Sequence, residues 1–343
     1  MIQIALTLLV AGFGGYLFSL AHVPLAWTIG AMVASAMLTW VRPVTLPRLT
    51  RPASMVVLGT SFGLGFTAPV VEALLSALPT IVASSTLTVL CGLLLTPLFS
   101  RLSGIEKKTS FFCAVPGGIA VMPVLAERAN AEIEPVIYSQ TLRMVMVVLT
   151  IPPILTISVR AQSDSLFHPD VLPVDWTNLG LLFCICLSGA LVMSRLNAAN
   201  PWLIGPLLCS MTITAFWQPP TGFPHWMTNM AQVGMGAGLG VRLTRDYLSR
   251  SRRVALATFA STGVLIALLT IAAIGIARFS HLPTEAVILG LSPGGTPEMV
   301  VTAATLYVSV PLVLSFHIVR MLINNLLVGP LWQLVDRTRF FTD

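Results

Sequence analysis

Arg143 and Arg320 each sit inside a long apolar run, Tyr138 to Ile154 and Ser309 to Leu327. A guanidinium in such a place is expensive and normally faces protein or water, paired with something. Its planar fork of donors suits carboxylates and oxyanions, so one chemistry here is the holding of an anion. A structural use stands beside it: each arginine bonds exposed backbone carbonyls of its own neighbourhood, or snorkels to an interface. Three residues before each lies a polar companion on the same helix face, Gln140 and His317. Twenty-six residues before each stands a glycine, Gly117 or Gly294, in Val115-Pro116-Gly117-Gly118 and Ser292-Pro293-Gly294-Gly295. Proline removes a donor and stops a helix, and paired glycines let backbone approach a ligand closely. The half-helix ends at such a break expose N–H and C=O groups that can hold ions or anionic groups. Glu298, whose first-half counterpart is Val121, follows the second break. It can form an ion pair with Arg320 or carry a proton in a coupled step.

The candidate substrate-binding set is therefore Pro116, Gly117, Gly118, Gln140 and Arg143 in one copy. In the other it is Ser292, Pro293, Gly294, Gly295, Glu298, His317 and Arg320. A packing kink for close helix contact is the bland alternative at each break.

The elements that must position these residues are repeated. Gly59, Gly63 and Gly65 recur as Gly234, Gly238 and Gly240, and the Ile-Gly pair at Gly30 recurs at Gly205, all shifted by 175 residues. The Pro-Gly-Gly and arginine pairs are shifted by 177, so two residues are inserted in between. Four collinear blocks at nearly one offset mark residues 1–160 and 177–335 as homologous halves. Residues 161–176 form the linker and 336–343 a tail.

Charged residues make up 9% of the 343-residue chain and apolar residues 55%, with a mean hydropathy of +0.88. A soluble domain carries about 25% charge. Apolar runs of helical length recur from 3–21 to 309–333, and a bilayer needs about 20 residues of helix. No alternating strand pattern suggests a membrane barrel. The expected class is an all-α polytopic membrane protein, with 3–21 read as a retained first span. The five cysteines lie in apolar context without metal spacing, so they read as small buried residues. Trp27, Trp40, Trp176, Trp202, Trp217, Trp226 and Trp332 fall mostly at run ends, as in an aromatic belt.

Basic residues predict orientation. They collect at Arg42, Arg48 and Arg51 and at Arg101, Lys107 and Lys108 in the first half, but at Arg195 and from Arg242 to Arg253 in the second. Charge thus alternates in opposite phase, and the positive-inside rule inserts the halves upside down relative to each other. Each half then has about five crossings plus one non-crossing Pro-Gly-Gly segment, near 109–128 and 286–305. Both termini are expected inside and the linker, with Asp164, Asp170 and Asp175, outside. A full-width broken helix is the alternative to re-entrance.

Two Pro-Gly-Gly-x-x-x-Met segments (to Met122 and Met299), each followed by a hydrophobic helix with Gln-x-x-Arg or His-x-x-Arg, resemble the AbrB-type duplicated membrane-protein family. The resemblance covers essentially the whole chain. One departure is Val115, where the family's first copy typically has serine, so a serine hydroxyl persists only at Ser292. The resemblance implies a bacterial inner-membrane protein, linked by name to regulation of gene expression and sometimes labelled an ammonia monooxygenase. It implies no substrate. Soluble DNA-binding regulators share the name, and nothing here resembles their swapped-hairpin fold.

A monooxygenase needs a metal held by clustered ligands, yet His22, His168, His225, His281 and His317 are scattered. The expectation is no enzyme, no cofactor and no metal. Direct nucleic-acid binding is also not expected, since no extramembrane stretch is long enough to fold as a domain. Two functions fit. One is a secondary transporter of a small, anionic metabolite coupled to a proton or sodium ion. The other is a non-transporting membrane sensor acting on expression through a partner. Expected partners are the lipid bilayer, the solute and, in one arrangement, a second copy as homodimer.

Overall fold

A computed structural model describes residues 2–42, 44–119, 121–158, 172–198, 200–217, 219–249 and 251–337. Most of the expected linker, with Asp164 and Asp170, and most of the tail lie outside the described residues. Among them the chain is all-helical, without a strand.

The first half gives α1 (Ile2–Leu20), α2 (Ala26–Val41), α3 (Thr50–Gly63), α4 (Ala68–Leu94), α5 (Thr96–Ser103), α6 (Lys107–Ala114), α7 (Met122–Arg128) and α8 (Ile133–Ser158). The second gives α9 (Trp176–Arg195), α10 (Pro201–Trp217), α11 (His225–Gly240), α12 (Arg245–Ser249), α13 (Arg252–Ser280), α14 (Thr284–Leu291), α15 (Thr296–Thr305) and α16 (Val310–Arg337). The bounds of α6 and α14 match residue for residue at the 177 offset. Asp175 caps α9, its carboxylate accepting from the N–H groups of Thr177 and Asn178 at 2.9 and 3.2 Å.

Among the described residues six stretches are long and apolar enough to cross a membrane: Gln3–Leu20, Ala68–Ser103, Ile133–Ile157, Trp176–Arg195, Arg252–Ser280 and Val310–Trp332. Ala26–Val41 and Pro201–Trp217 are shorter apolar helices. On α1 and α9, Leu9, Phe13, Leu181 and Leu191 are exposed, the outward apolar face expected where the neighbour is lipid rather than water.

The chain divides into two compact units, each drawn from both halves. One comprises Met1–Ser76, Pro152–Tyr247 and Val300–Pro311. In it α1 packs on α2 and α9 on α10, while α2 packs on α11 and α10 on α3. Glycines set these approaches. A Cβ on Gly30 would strike Gly14 backbone, and one on Gly205 would lie 2.6 Å from Ala190 N. Gly59 and Gly63 of α3 meet Leu203 O and Leu207 O of α10. Their counterparts on α11 prove to be Gly236 and Gly240, which meet Thr28 O and Met32 O. The packing therefore corrects the expected pairing with Gly234 and Gly238. The offset is already 177 at α11, so the insertion precedes that contact.

The other unit comprises Ala77–Ile151, Leu248–Met299 and Leu312–Asp343. Here α5 packs on α6 and on α13, α13 on α14, and α6 on α7. Phe111 and Phe112 of α6 meet edge-to-face at 5.0 Å, and Phe111 lies 5.3 Å from the Trp332 ring. Gly92 of α4 leaves room for the first break, since a Cβ there would lie 2.6 Å from Pro116 Cδ.

Candidate functional site

Both Pro-Gly-Gly segments interrupt their helices, and both belong to this second unit together with Arg143 and Arg320. α6 ends at Ala114 and α14 at Leu291 because the following prolines have no N–H to continue the ladder. A helix end leaves carbonyls without partners. The residues around these ends are buried, so the carbonyls must be satisfied inside the protein.

Gln140 and Arg143 do that at the first break. Gln140 Nε2 donates to Phe112 O at 2.9 Å and to Val115 O at 3.0 Å, and its Oε1 accepts from Gly118 N at 3.1 Å. Arg143 Nη1 donates to Val115 O at 3.2 Å, and Nη2 donates to Gln140 Oε1. Ser139 adds a bond to Cys113 O at 3.1 Å.

The second break is fastened in a similar way: Leu289, Ser292, His317 and Arg320 stand 177 residues after Phe112, Val115, Gln140 and Arg143. His317 Nε2 meets Leu289 O at 3.1 Å. Arg320 Nη1 donates to Ser292 O, and Nη2 reaches Gly294 O at 3.0 Å and His317 Nδ1 at 2.8 Å. A guanidinium only donates, so Nδ1 accepts and Nε2 carries the hydrogen given to Leu289 O. His317 is therefore the neutral Nε2–H tautomer, and imidazole does the work of the Gln140 amide. The Ser292 hydroxyl donates to Leu289 O at 2.8 Å.

Both arginines thus sit at the carbonyl end of a short helix, where a cation is favourable, and bond their own half's break. The structural use considered from sequence is the one the geometry displays. It does not exhaust them. A guanidinium has five N–H donors, and Arg143 Nε is buried with no hydrogen-bond partner.

The two copies also touch each other. Asn324 Nδ2 donates to Pro116 O at 3.0 Å. Val147, its equivalent at the 177 offset, lies against Gly294, 2.9 Å from where a Cβ would stand. Met144 approaches Gly295 similarly at 2.8 Å. Each arginine helix therefore bonds its own break and packs on the other's. The motif methionines have a packing role: Met122 covers Gly117 and Met299 covers Gly294, both wholly buried. Glu298 is 2% exposed and lies beside Gly295.

All twelve predicted residues thus fall in one compact unit. Most join the two carbonyl networks, Glu298 flanks the second break, and Pro293 precedes it. Sequence reasoning missed Asn324, whose Oδ1 is buried without a partner. Its signal was available, since it lies four residues after Arg320 in an apolar run and so shares its face. Met144 and Val147 carried no such signal.

A chain that is all-helical among the described residues, with six helices there apolar enough to span a bilayer and two arginine-fastened helix breaks, is a polytopic membrane protein. Residues 27–336 match the family described as "Transition state regulatory protein AbrB", and the chain belongs to that family. It is 24% identical over 353 residues to "Uncharacterized protein YhjN" of Bacillus subtilis (strain 168), covering 95% of this chain and 91% of that one. It is 26% identical over 319 residues to "Putative regulator AbrB" of Escherichia coli (strain K12), covering 91% and 90%.

Proposed function

We propose that the protein is a secondary transporter that moves a small, anionic metabolite, with the paired Pro-Gly-Gly breaks as its solute site. The observation that carries this reading is the buried Arg143 guanidinium, which keeps an unpartnered Nε beside a broken helix. Packing alone needs a kink at each break. It does not need a cation with an idle donor, which is costly to bury unless a ligand completes it. Duplicated broken helices that present ends and irregular backbone to a common site are how many secondary transporters hold substrates. Glu298, buried at the second break only, is the group we assign to a coupling proton or sodium ion.

In this reading the halves insert in opposite orientations in a bacterial inner membrane, with both termini cytoplasmic. The Pro-Gly-Gly segments enter from opposite faces toward the midplane. The chain acts without enzymatic chemistry or direct nucleic-acid contact, alone or as a homodimer. A thermal-shift screen over small organic acids and amino acids tests the anion preference. At least one acid should raise the melting temperature of the parent and leave Arg143→Lys unmoved, because the ammonium lacks the Nε donor. Stabilisation only by cations or neutral amines would overturn it.

The second reading, a membrane regulator that transports nothing, is favoured by the word "regulator" in the Escherichia coli relative's name. Regulation that persists in a variant with no solute binding would support it over transport.

A further inference from the structure

The first compact unit holds a cavity of about 620 Å³ that none of the site residues above lines. That volume lies within the usual range of small-molecule pockets. Its walls are three helix faces, each with the i, i+3, i+4, i+7 spacing of one stripe. α3 contributes Leu58, Ser61, Phe62 and the following Gly65. α11 contributes His225, Thr228, Asn229 and Gln232, and residues 301, 304, 305 and 308, on α15 and just beyond it, close the third side.

The chemistry of this lining is specific. No Asp, Glu, Lys or Arg is among the lining residues, so an ion inside would lack a counter-charge and its burial would be costly. Gln232 is 6% exposed, and neither its amide nor those of Asn229 and the Ser61 hydroxyl makes a hydrogen bond among the described residues. An amide presents a donor and an acceptor side by side. Left buried without partners it is costly, and an acyl chain would leave it so. Leu58, Phe62, Val301 and Pro311 offer the rest of an occupant an apolar bed.

We infer that this cavity is a binding site for an uncharged organic molecule that joins an amide or hydroxyl group to an apolar body, with Gln232 and Asn229 reading the polar end. The site is separate from the arginine-fastened breaks, and its occupant differs in charge from the anion proposed there.

The test uses the full-length chain in detergent, its five cysteines replaced by serine or alanine and Ser61→Cys added. The readout is the rate of alkylation of that cysteine by N-ethylmaleimide, with hexanamide or hexanoate as competing probes. Hexanamide should protect, and hexanoate should need a concentration about tenfold higher or more. Gln232→Leu should raise the half-protecting hexanamide concentration about three- to tenfold, the worth of one hydrogen bond. Asn229→Leu is the second variant, should Gln232→Leu not fold. Absence of hexanamide protection, equal protection by both probes, or protection indifferent to both leucine variants would overturn the proposal. The last result is what a lipid-filled groove would give.

Discussion

His317 and Gln140 solve one problem with two different side chains, and that makes exchange between them informative. Each donates to the carbonyl four residues before its proline and accepts from its arginine. His317→Gln should therefore cost less than about 1 kcal/mol, since the first half already shows a glutamine in that role. His317→Leu removes both bonds and should cost about 1–3 kcal/mol or more. Thermal melting of the purified protein separates the two, and equal losses would mean that the imidazole acts through its shape alone. Arg320→Ala should be costlier than Arg143→Ala, because Arg320 satisfies two carbonyls, Ser292 O and Gly294 O, and Arg143 only Val115 O. Much of this scale was legible in the sequence. A proline followed by paired glycines marks a break, and a charge in an apolar run must find a partner. The cross-contacts of Met144 and Asn324 were not legible, because apolar spacing says which face a residue occupies but not what it meets.

Among the elements, glycine acts for two separable reasons. Gly118 has φ +84° and no atom within 4 Å of where a Cβ would stand. Gly118→Ala should thus cost only conformational strain, about 1–2 kcal/mol, and Gly118→Asn less. Gly30 and Gly205 have ordinary φ but meet the backbone of the neighbouring helix. Alanine at either should push α1 from α2, or α9 from α10, by overpacking that a backbone contact cannot relieve. Size-exclusion chromatography should show loss of the monodisperse species for both, while Gly12→Ala and Gly180→Ala, with open space around them, stay parental. The glycines of α11 explain where sequence reading went astray. Gly234, Gly236, Gly238 and Gly240 stand two apart, so they offer two pairs with the i, i+4 spacing of a helix face. Only the contact with α2 selects Gly236 and Gly240.

For the whole molecule, the repeat is legible as an offset, but the compact units are not the halves. Each unit collects segments of both, because an apolar face specifies burial and leaves the partner open. The all-helical, membrane-spanning class follows directly from hydropathy and helix length. Orientation is a separate prediction from basic charge. Single cysteines at Lys108 and Arg242 should label from the cytoplasmic side and one at Thr177 from the opposite side, in intact cells with an impermeant maleimide. Labelling of all three from one side would remove the inverted insertion.

The most direct test of the central claim, that the paired breaks serve solute transport, is uptake of radiolabelled organic acids into proteoliposomes. It should compare the parent with Glu298→Gln and with Arg143→Lys, Arg320→Lys and the double variant. The parent should accumulate at least one acid under a proton or sodium gradient. The arginine variants should lose that flux by about tenfold or more while remaining folded, since a transition-state or binding loss of about 1.4 kcal/mol is already tenfold. Glu298→Gln should retain exchange without gradient-driven accumulation. Flux unchanged in the folded double arginine variant would contradict the claim.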